Sequence, residues 1–250
     1  MIELKGNSGC RLELSIENNI PVVVKSQGNF LDLDFKVLTA LKYYGLNIPD
    51  YYEVTPERVT MRYLDGLTIA DYIEEDRDLD KLAEFCQTVI TILENNSVTG
   101  NITAELQDKF QSLDQLVPKD QLKFKLHELY DRLPKELPCE VYHGDLTLEN
   151  IIYWNDEFYL IDANYSTLNS SAFDCAKLRQ DSECGWFVRN SIQTLAFNDR
   201  LKYINQQIKT INSYTQDDNL LIFMLLRVIP YCKTDQDRAW LIRHINKLWI

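Results

Sequence analysis

Apart from one inserted helix, apolar side chains in this chain alternate with polar ones up to about position 64 and recur at three- and four-residue intervals from position 80 onward. That change of period limits the fold more than any other feature. Residues 11–16 alternate polar and apolar, the period of a half-buried strand. Asn18-Asn19 makes a turn, and the β-branched residues 21–25 read as the returning strand, which ends on Lys25. Residues 33–44 carry Leu33, Val37, Leu38 and Leu41 at helical spacing, with Gly45 placed to end the helix. Residues 51–54 and 58–64 read as two further strands, separated by a turn at Pro56.

Beyond Asp65-Gly66 the character is helical. Residues 80–96 set Leu82, Phe85, Cys86, Val89, Ile90 and Leu93 along one stripe, and residues 122–133 do the same with four leucines. A strand-like island follows at Val141-Tyr142, 151–153 and 159–161, and the chain is helical again from about Gly185. A β-rich part (1–64), then a larger helical part (65–250) holding a hairpin, predicts an α+β fold in two lobes.

Charge and composition remove several function classes. With 38 acidic against 26 basic residues the net charge is −12, which argues against a nucleic-acid partner, because binding a phosphate backbone needs a basic stripe. A bound nucleotide is still allowed, since one lysine and metal ions neutralise a triphosphate locally. The six cysteines show no C-x-x-C pair, so neither a zinc site nor a disulfide framework is expected. The first nine residues lack the apolar core of a signal peptide, and no apolar run approaches the roughly 20 residues of a membrane span. A cytoplasmic protein is expected.

The residues that carry chemistry lie together. His143, Gly144, Asp145 and Asn150 fall in a loop between apolar runs, and Asp162 ends the next such run. A carboxylate, an amide five residues on and a second carboxylate about a dozen further suit phosphoryl transfer on magnesium. Mg²⁺ takes oxygen ligands and keeps waters, so one carboxylate and one amide oxygen can hold it beside phosphates. The other aspartate is then free to orient the attacking hydroxyl. Taken singly, His143 reads as a core histidine, Asp162 as a turn former and Asp174 as a helix N-cap.

Here the chain resembles the kinase-like phosphotransferases, the group of aminoglycoside phosphotransferases, choline kinases and related small-molecule kinases, with their protein-kinase-like fold. Their His-Gly-Asp, four residues, Asn pattern is met in full by His143 to Asn150. The resemblance implies that Asp145 is catalytic, that Asn150 and Asp162 hold metal, and that His143 braces the loop. Ala163 replaces the usual aromatic after Asp162. Phe173-Asp-Cys-Ala-Lys-Leu178 is similar to the family segment whose aspartate, here Asp174, steadies the loop.

For the N-terminal half the resemblance implies nucleotide contacts. Lys25 would pair with phosphates; as a residue it is equally a solvated strand end. The Gly6-Asn-Ser8-Gly9 turn can bring backbone N–H groups to phosphates, or is simply a hairpin turn. The helix acid expected to pair with Lys25 is Asp34, an aspartate where the family has glutamate. Met61 would line the adenine pocket, and the backbone near Arg62 and Leu64 would meet the base edge. ATP (or another nucleoside triphosphate) and Mg²⁺ are the cofactors implied.

Thr147, two residues after Asp145, stands where Ser/Thr protein kinases carry lysine, and only twelve residues separate Asp162 from Asp174. No room is left for a peptide platform, so the acceptor is expected to be small. The opening residues 5–14 and the Ala-Lys-Leu segment are similar to small kinases of bacterial capsule or surface-polysaccharide biosynthesis, which suggests a sugar or sugar nucleotide. An aminoglycoside or amino-alcohol acceptor, an inactive nucleotide-binding pseudokinase and a metal-assisted hydrolase stay open as rivals. Trp186, Phe187, Tyr203, Tyr214 and Trp240 can stack on an acceptor or pack as core.

Overall fold

A computed structural model describes residues 2–4, 11–26 and 35–250. Strands β1 (Ile2–Leu4), β2 (Arg11–Glu17) and β3 (Ile20–Ser26) form an antiparallel meander. Asn18 and Asn19 both take positive φ, the backbone of a two-residue hairpin turn whose twist matches its strands. Helix α1 (Phe35–Tyr43) ends at Gly45, where φ is +88° and the Leu46 N–H returns to the Leu41 carbonyl. Strands β4 (Tyr51–Val54) and β5 (Arg58–Arg62) complete a sheet of order β1-β2-β3-β5-β4. Strand β3 therefore lies inside the sheet, which is why Val22, Val23 and Val24 are all buried. Among the described residues, this sheet takes all its strands from the first 62 positions.

Helices then dominate. The short strand β6 (Leu67–Thr68) leads into α2 (Ile69–Glu74) and α3 (Leu79–Asn95). Strand β7 (Val98–Asn101) pairs with β8 (Glu136–Cys139) across α4 (Thr103–Leu116) and α5 (Leu126–Arg132). The hairpin β9 (Ile151–Trp154) and β10 (Glu157–Leu160) pairs with β6. Helices α6 (Ser171–Ser182), α7 (Leu195–Lys209), α8 (Asp218–Val228) and α9 (Asp235–Leu248) close the chain. Thr68, Asp78, Ser170, Thr194, Asp217 and Thr234 each accept a backbone N–H at a helix start, as N-caps do. Among the described residues no helix is long and apolar enough to cross a membrane.

Two apolar cores meet at α6. Cys175 and Leu178 face a core built from α1, α2, α3, the β9–β10 hairpin and α7. Ala172, Phe173 and Ala176 face a second, built largely from α4, α5, α8 and α9. Apart from Lys177, which is half-buried, every residue of α6 is buried.

Three sequence expectations need correction. The helix expected over 122–133 is helical only from Leu126. Its first part is held in bends by the end of the chain, because the Lys123 N–H donates to Asn246 Oδ1 in α9 and Phe124 stacks on Trp249 just beyond it, with ring centres 4.1 Å apart. Val141-Tyr142 is not a strand: the Val141 carbonyl accepts from Ser97 Oγ, and β8 ends at Cys139. The strand expected to run to residue 64 stops at Arg62, where the Tyr63 N–H turns to the Pro21 carbonyl.

Candidate active site

The β9–β10 hairpin puts Asn150 and Asp162 side by side. Asn155 and Asp156 form its two-residue turn with positive φ, and Ile151 pairs with Leu160 at its open end. One step further the Ile161 N–H donates to the Asn150 carbonyl at 2.9 Å. Asp162 follows with φ +59°, a left-handed conformation that turns the chain out of the hairpin. Lys25, on β3, reaches across and forms an ion pair with Asp162 Oδ1.

The loop over residues 143–150 hangs from α6. Asp174 lies within the first turn of this helix rather than at its N-cap, which is Ser170. Its buried carboxylate accepts the N–H groups of His143 at 2.6 Å, Gly144 at 2.9 Å and Leu146 at 3.4 Å. Lys177, three residues on, donates to Asp145 Oδ1 at 2.5 Å. Asp181 accepts the Leu148 N–H at 2.8 Å. Positions 174, 177 and 181 fall on one helical face, so a single stripe of charged groups holds four amides and one carboxylate of the loop.

Within the loop, Asn150 Nδ2 donates to the Asp145 carbonyl at 2.8 Å and to Asp145 Oδ2 at 3.0 Å. Both Asp145 oxygens are thus engaged, one by an ammonium and one by an amide. Burial pushes the Asp145 carboxyl up, but Lys177 and the Asn150 hydrogen bond outweigh it and the net direction is downward. His143 is wholly buried, and its Nδ1 accepts the Asp145 N–H at 3.3 Å. Burial pushes its imidazole down to about 4, against the pull of Asp145 and Asp162. It is therefore a neutral brace at ordinary pH, with the ring proton on Nε2. Gly144 takes φ +83°, and a Cβ there would meet the Asn164 carbonyl oxygen at 2.0 Å. Only glycine fits.

Burial pushes the Asp174 carboxyl up to about 7 despite its three amides. For Asp181, burial and the nearby Glu149 charge push it up to about 8. Tyr51, at the start of β4, joins the group from the other lobe. Burial first and the Asp162 charge second drive its phenol well above the ordinary tyrosine range.

The structure thus brings together Lys25, His143, Asp145, Asn150, Asp162 and Asp174 of the residues singled out in the sequence. Gly6, Ser8, Gly9 and Asp34 lie outside the described residues. Met61 is buried between Val23 and Tyr51 in neighbouring strands. Arg62 turns its guanidinium to Asp50 and to the Trp154 ring, and its own N–H donates to the Asp50 carbonyl. The Leu64 amide has no backbone acceptor among the described residues. The helical-lobe aromatics pack as core: Trp186 against Trp240, Phe187 against Phe197, and Tyr203 through its hydroxyl onto Asp80. Lys177, Asp181 and Tyr51 were not singled out. A lysine and an aspartate three and seven residues after Asp174 were the signal for two of them.

By sequence, the chain matches no protein-family profile and no curated protein. By fold it is similar to several solved structures. A thermostable mutant of aminoglycoside phosphotransferase APH(4)-Ia, in ternary complex with ADP and hygromycin B, gives a TM-score of 0.65 at 14% identity, over 99% of this chain and 92% of that one. LicA in complex with AMP gives 0.60 at 18% identity, over 98% and 90%. Plasmodium vivax ethanolamine kinase gives 0.59 at 15% identity, over 100% and 81%. The chain has the two-lobed α+β fold of the kinase-like phosphotransferases.

Proposed function

We propose that this protein is a small-molecule kinase that moves the γ-phosphoryl of Mg-bound ATP onto an acceptor hydroxyl. The observation that carries the reading is the convergence of Asp145, Asn150, Asp162 and Lys25, from three separate parts of the chain, on one place. In the reaction the acceptor oxygen bonds to the γ-phosphorus as the bond to the β–γ bridging oxygen breaks. ADP leaves, and the hydroxyl proton passes to Asp145 or through it to solvent.

Each side chain has a task that follows from its surroundings. Asp145 is kept ionised by Lys177 and aimed by Asn150, so it can accept a hydrogen bond from the attacking hydroxyl. Because Asn150 spends its NH₂ on Asp145, its amide oxygen can serve as an acceptor, and the hairpin brings Asn150 next to the residue before Asp162. That amide oxygen and the Asp162 carboxylate would supply the oxygen donors that Mg²⁺ takes. When bound with the nucleotide, the metal supplies charge neutralisation at the phosphates. Lys25 would pair with those phosphates, and the Leu64 amide, which has no backbone acceptor among the described residues, would donate to the base edge. On this reading residues 1–64 form the nucleotide-binding lobe and residues 65–250 carry the catalytic loop and the acceptor site.

For the acceptor, the similarity of the opening segment and of Ala-Lys-Leu to surface-polysaccharide kinases supports a sugar or sugar nucleotide. The intact Asp145, Asn150 and Asp162 count against an inactive module. Mg-dependent ADP release tests the reading. It should occur in the wild type and be lost in Asp145→Asn; tight nucleotide binding without turnover in the wild type would refute the kinase assignment.

A further inference from the structure

A second cavity opens behind Lys177. Side chains of α4, α6 and α8 and the turn after α8 enclose about 140 Å³. The cavity shares Lys177 with the active site, so one of its walls is a single 2.5 Å ion pair away from the Asp145 carboxylate. Lys109 from α4, Lys177 from α6 and Arg227 from α8 all line it, and no carboxylate does. In a chain with 38 acidic and 26 basic residues, three cations that share a single paired carboxylate, Asp145 on Lys177, need a reason.

Lys177 has a partner in Asp145, but Lys109 and Arg227 form no ion pair among the described residues. Among the described residues the half-buried Arg227 guanidinium donates to Met224 Sδ at 3.3 Å and lies 5.9 Å from the centre of the Phe223 ring. Burial and then the Arg227 charge lower the Lys109 ammonium, and burial lowers Arg227 itself. Two like charges in half-buried walls destabilise each other until an anion lies between them. A guanidinium fork and an ammonium are the pair that phosphate and carboxylate recognition uses.

We propose that this cavity binds an anionic group of the acceptor, so that the acceptor is a phosphorylated, nucleotide-linked or acidic sugar. The word acceptor rests on the kinase reading; the anion site itself does not. Held by its anionic end against Arg227 and Lys109, such a molecule presents a hydroxyl past Lys177 to Asp145. The same three cations repel an aminoglycoside or an amino-alcohol, which counts against that rival.

Two measurements test this. Inorganic phosphate titrated into the protein should bind to the wild type and to Lys25→Ala, in which the proposed nucleotide-phosphate contact is gone. Binding should weaken roughly 10- to 100-fold in Arg227→Gln, the worth of one charge-assisted hydrogen bond. Lys109→Gln, on the half-buried face of α4, should weaken it in the same direction and serves as the second variant if Arg227→Gln does not fold. In ADP-release assays, glucose 1-phosphate, UDP-glucose or glucuronate should act as acceptors ahead of glucose and an aminoglycoside, and the member that acts identifies the class. Phosphate that fails to bind the wild type, or that binds both glutamine variants unchanged, overturns the proposal, as does preferential use of the aminoglycoside or of glucose. Phosphate binding with the expected losses, but no Mg-ATP turnover with any acceptor, leaves the anion site standing and sinks the kinase reading.

Discussion

Lys177, on α6, donates to Asp145 Oδ1 at 2.5 Å and supplies the only cation that forms an ion pair with the loop's central carboxylate among the described residues. Position 147, two residues after Asp145, is threonine, so the positive charge at this site comes from a different element. Removing it should be felt electrostatically before it is felt sterically. In Lys177→Met, burial acts on Asp145 without its main opponent, so the carboxyl rises. The acid limb of the pH profile of kcat/KM should move to higher pH, and the rate at neutral pH should drop by roughly 10- to 100-fold. An unshifted acid limb would mean that Lys177 only packs.

Asp145 and Asp162 should separate in their kinetic signatures. On the kinase reading Asp145→Ala removes a group that acts in the transition state, so kcat should decrease by about 10²–10⁴-fold with nucleotide affinity near normal. Asp162→Ala removes an oxygen donor and the partner of Lys25, so Mg-dependent nucleotide binding should be lost. Equilibrium binding of a nonhydrolysable ATP analogue distinguishes them; unchanged binding in Asp162→Ala would refute its role.

Stability should decline as pH is raised from the ordinary carboxyl range to about 8. Asp174 and Asp181 have folded-state values of about 7 and about 8, far above the ordinary carboxyl, so the folded chain holds protons that the unfolded chain has already released. The stabilisation is complete at acidic pH and disappears as pH rises through those values. His143, pushed down to about 4, acts oppositely only below its ordinary value near 6.5. Asp181→Asn keeps an acceptor for Leu148 but cannot ionise. Its melting temperature should exceed the wild-type value at pH 8.5 and vary less between pH 6.5 and 8.5; a parallel pair of curves would contradict this.

Gly144→Ala should be strongly destabilising. The left-handed backbone alone costs roughly 1–2 kcal/mol for an alanine, and the new Cβ cannot avoid the Asn164 carbonyl. Urea unfolding should show at least that loss, and circular dichroism should show the helices intact.

The sequence made the local elements readable where one face is buried and the other is wet. Alternation marks β2, β-branching marks the buried β3 and the Asn18-Asn19 turn joins them, while apolar runs mark the β9–β10 hairpin, with which Asn150 and Asp162 come. Helix α6 was hidden for the opposite reason. It is buried on every side, so its apolar residues form no stripe and its charged face reads as surface. Val141-Tyr142 looked like a strand because the residues are apolar. The neighbouring backbone is instead satisfied by side chains, with Ser97 on the Val141 carbonyl and Asp174 on the His143 amide. Lys25 was recognisable, but its contact with Asp162 joins residues 137 apart in sequence, which local pattern does not encode.

Because a single helix supplies the Asp174, Lys177 and Asp181 holds on the 143–150 loop, their spacing is governed by helical phase. One residue inserted between Asp174 and Lys177 would turn everything downstream by about 100°. Lys177 and Asp181 would swing away from Asp145 and Leu148 together, while the helix itself could persist. In this molecule a one-residue shift of register would cost two holds on the loop at once, where a point substitution costs one.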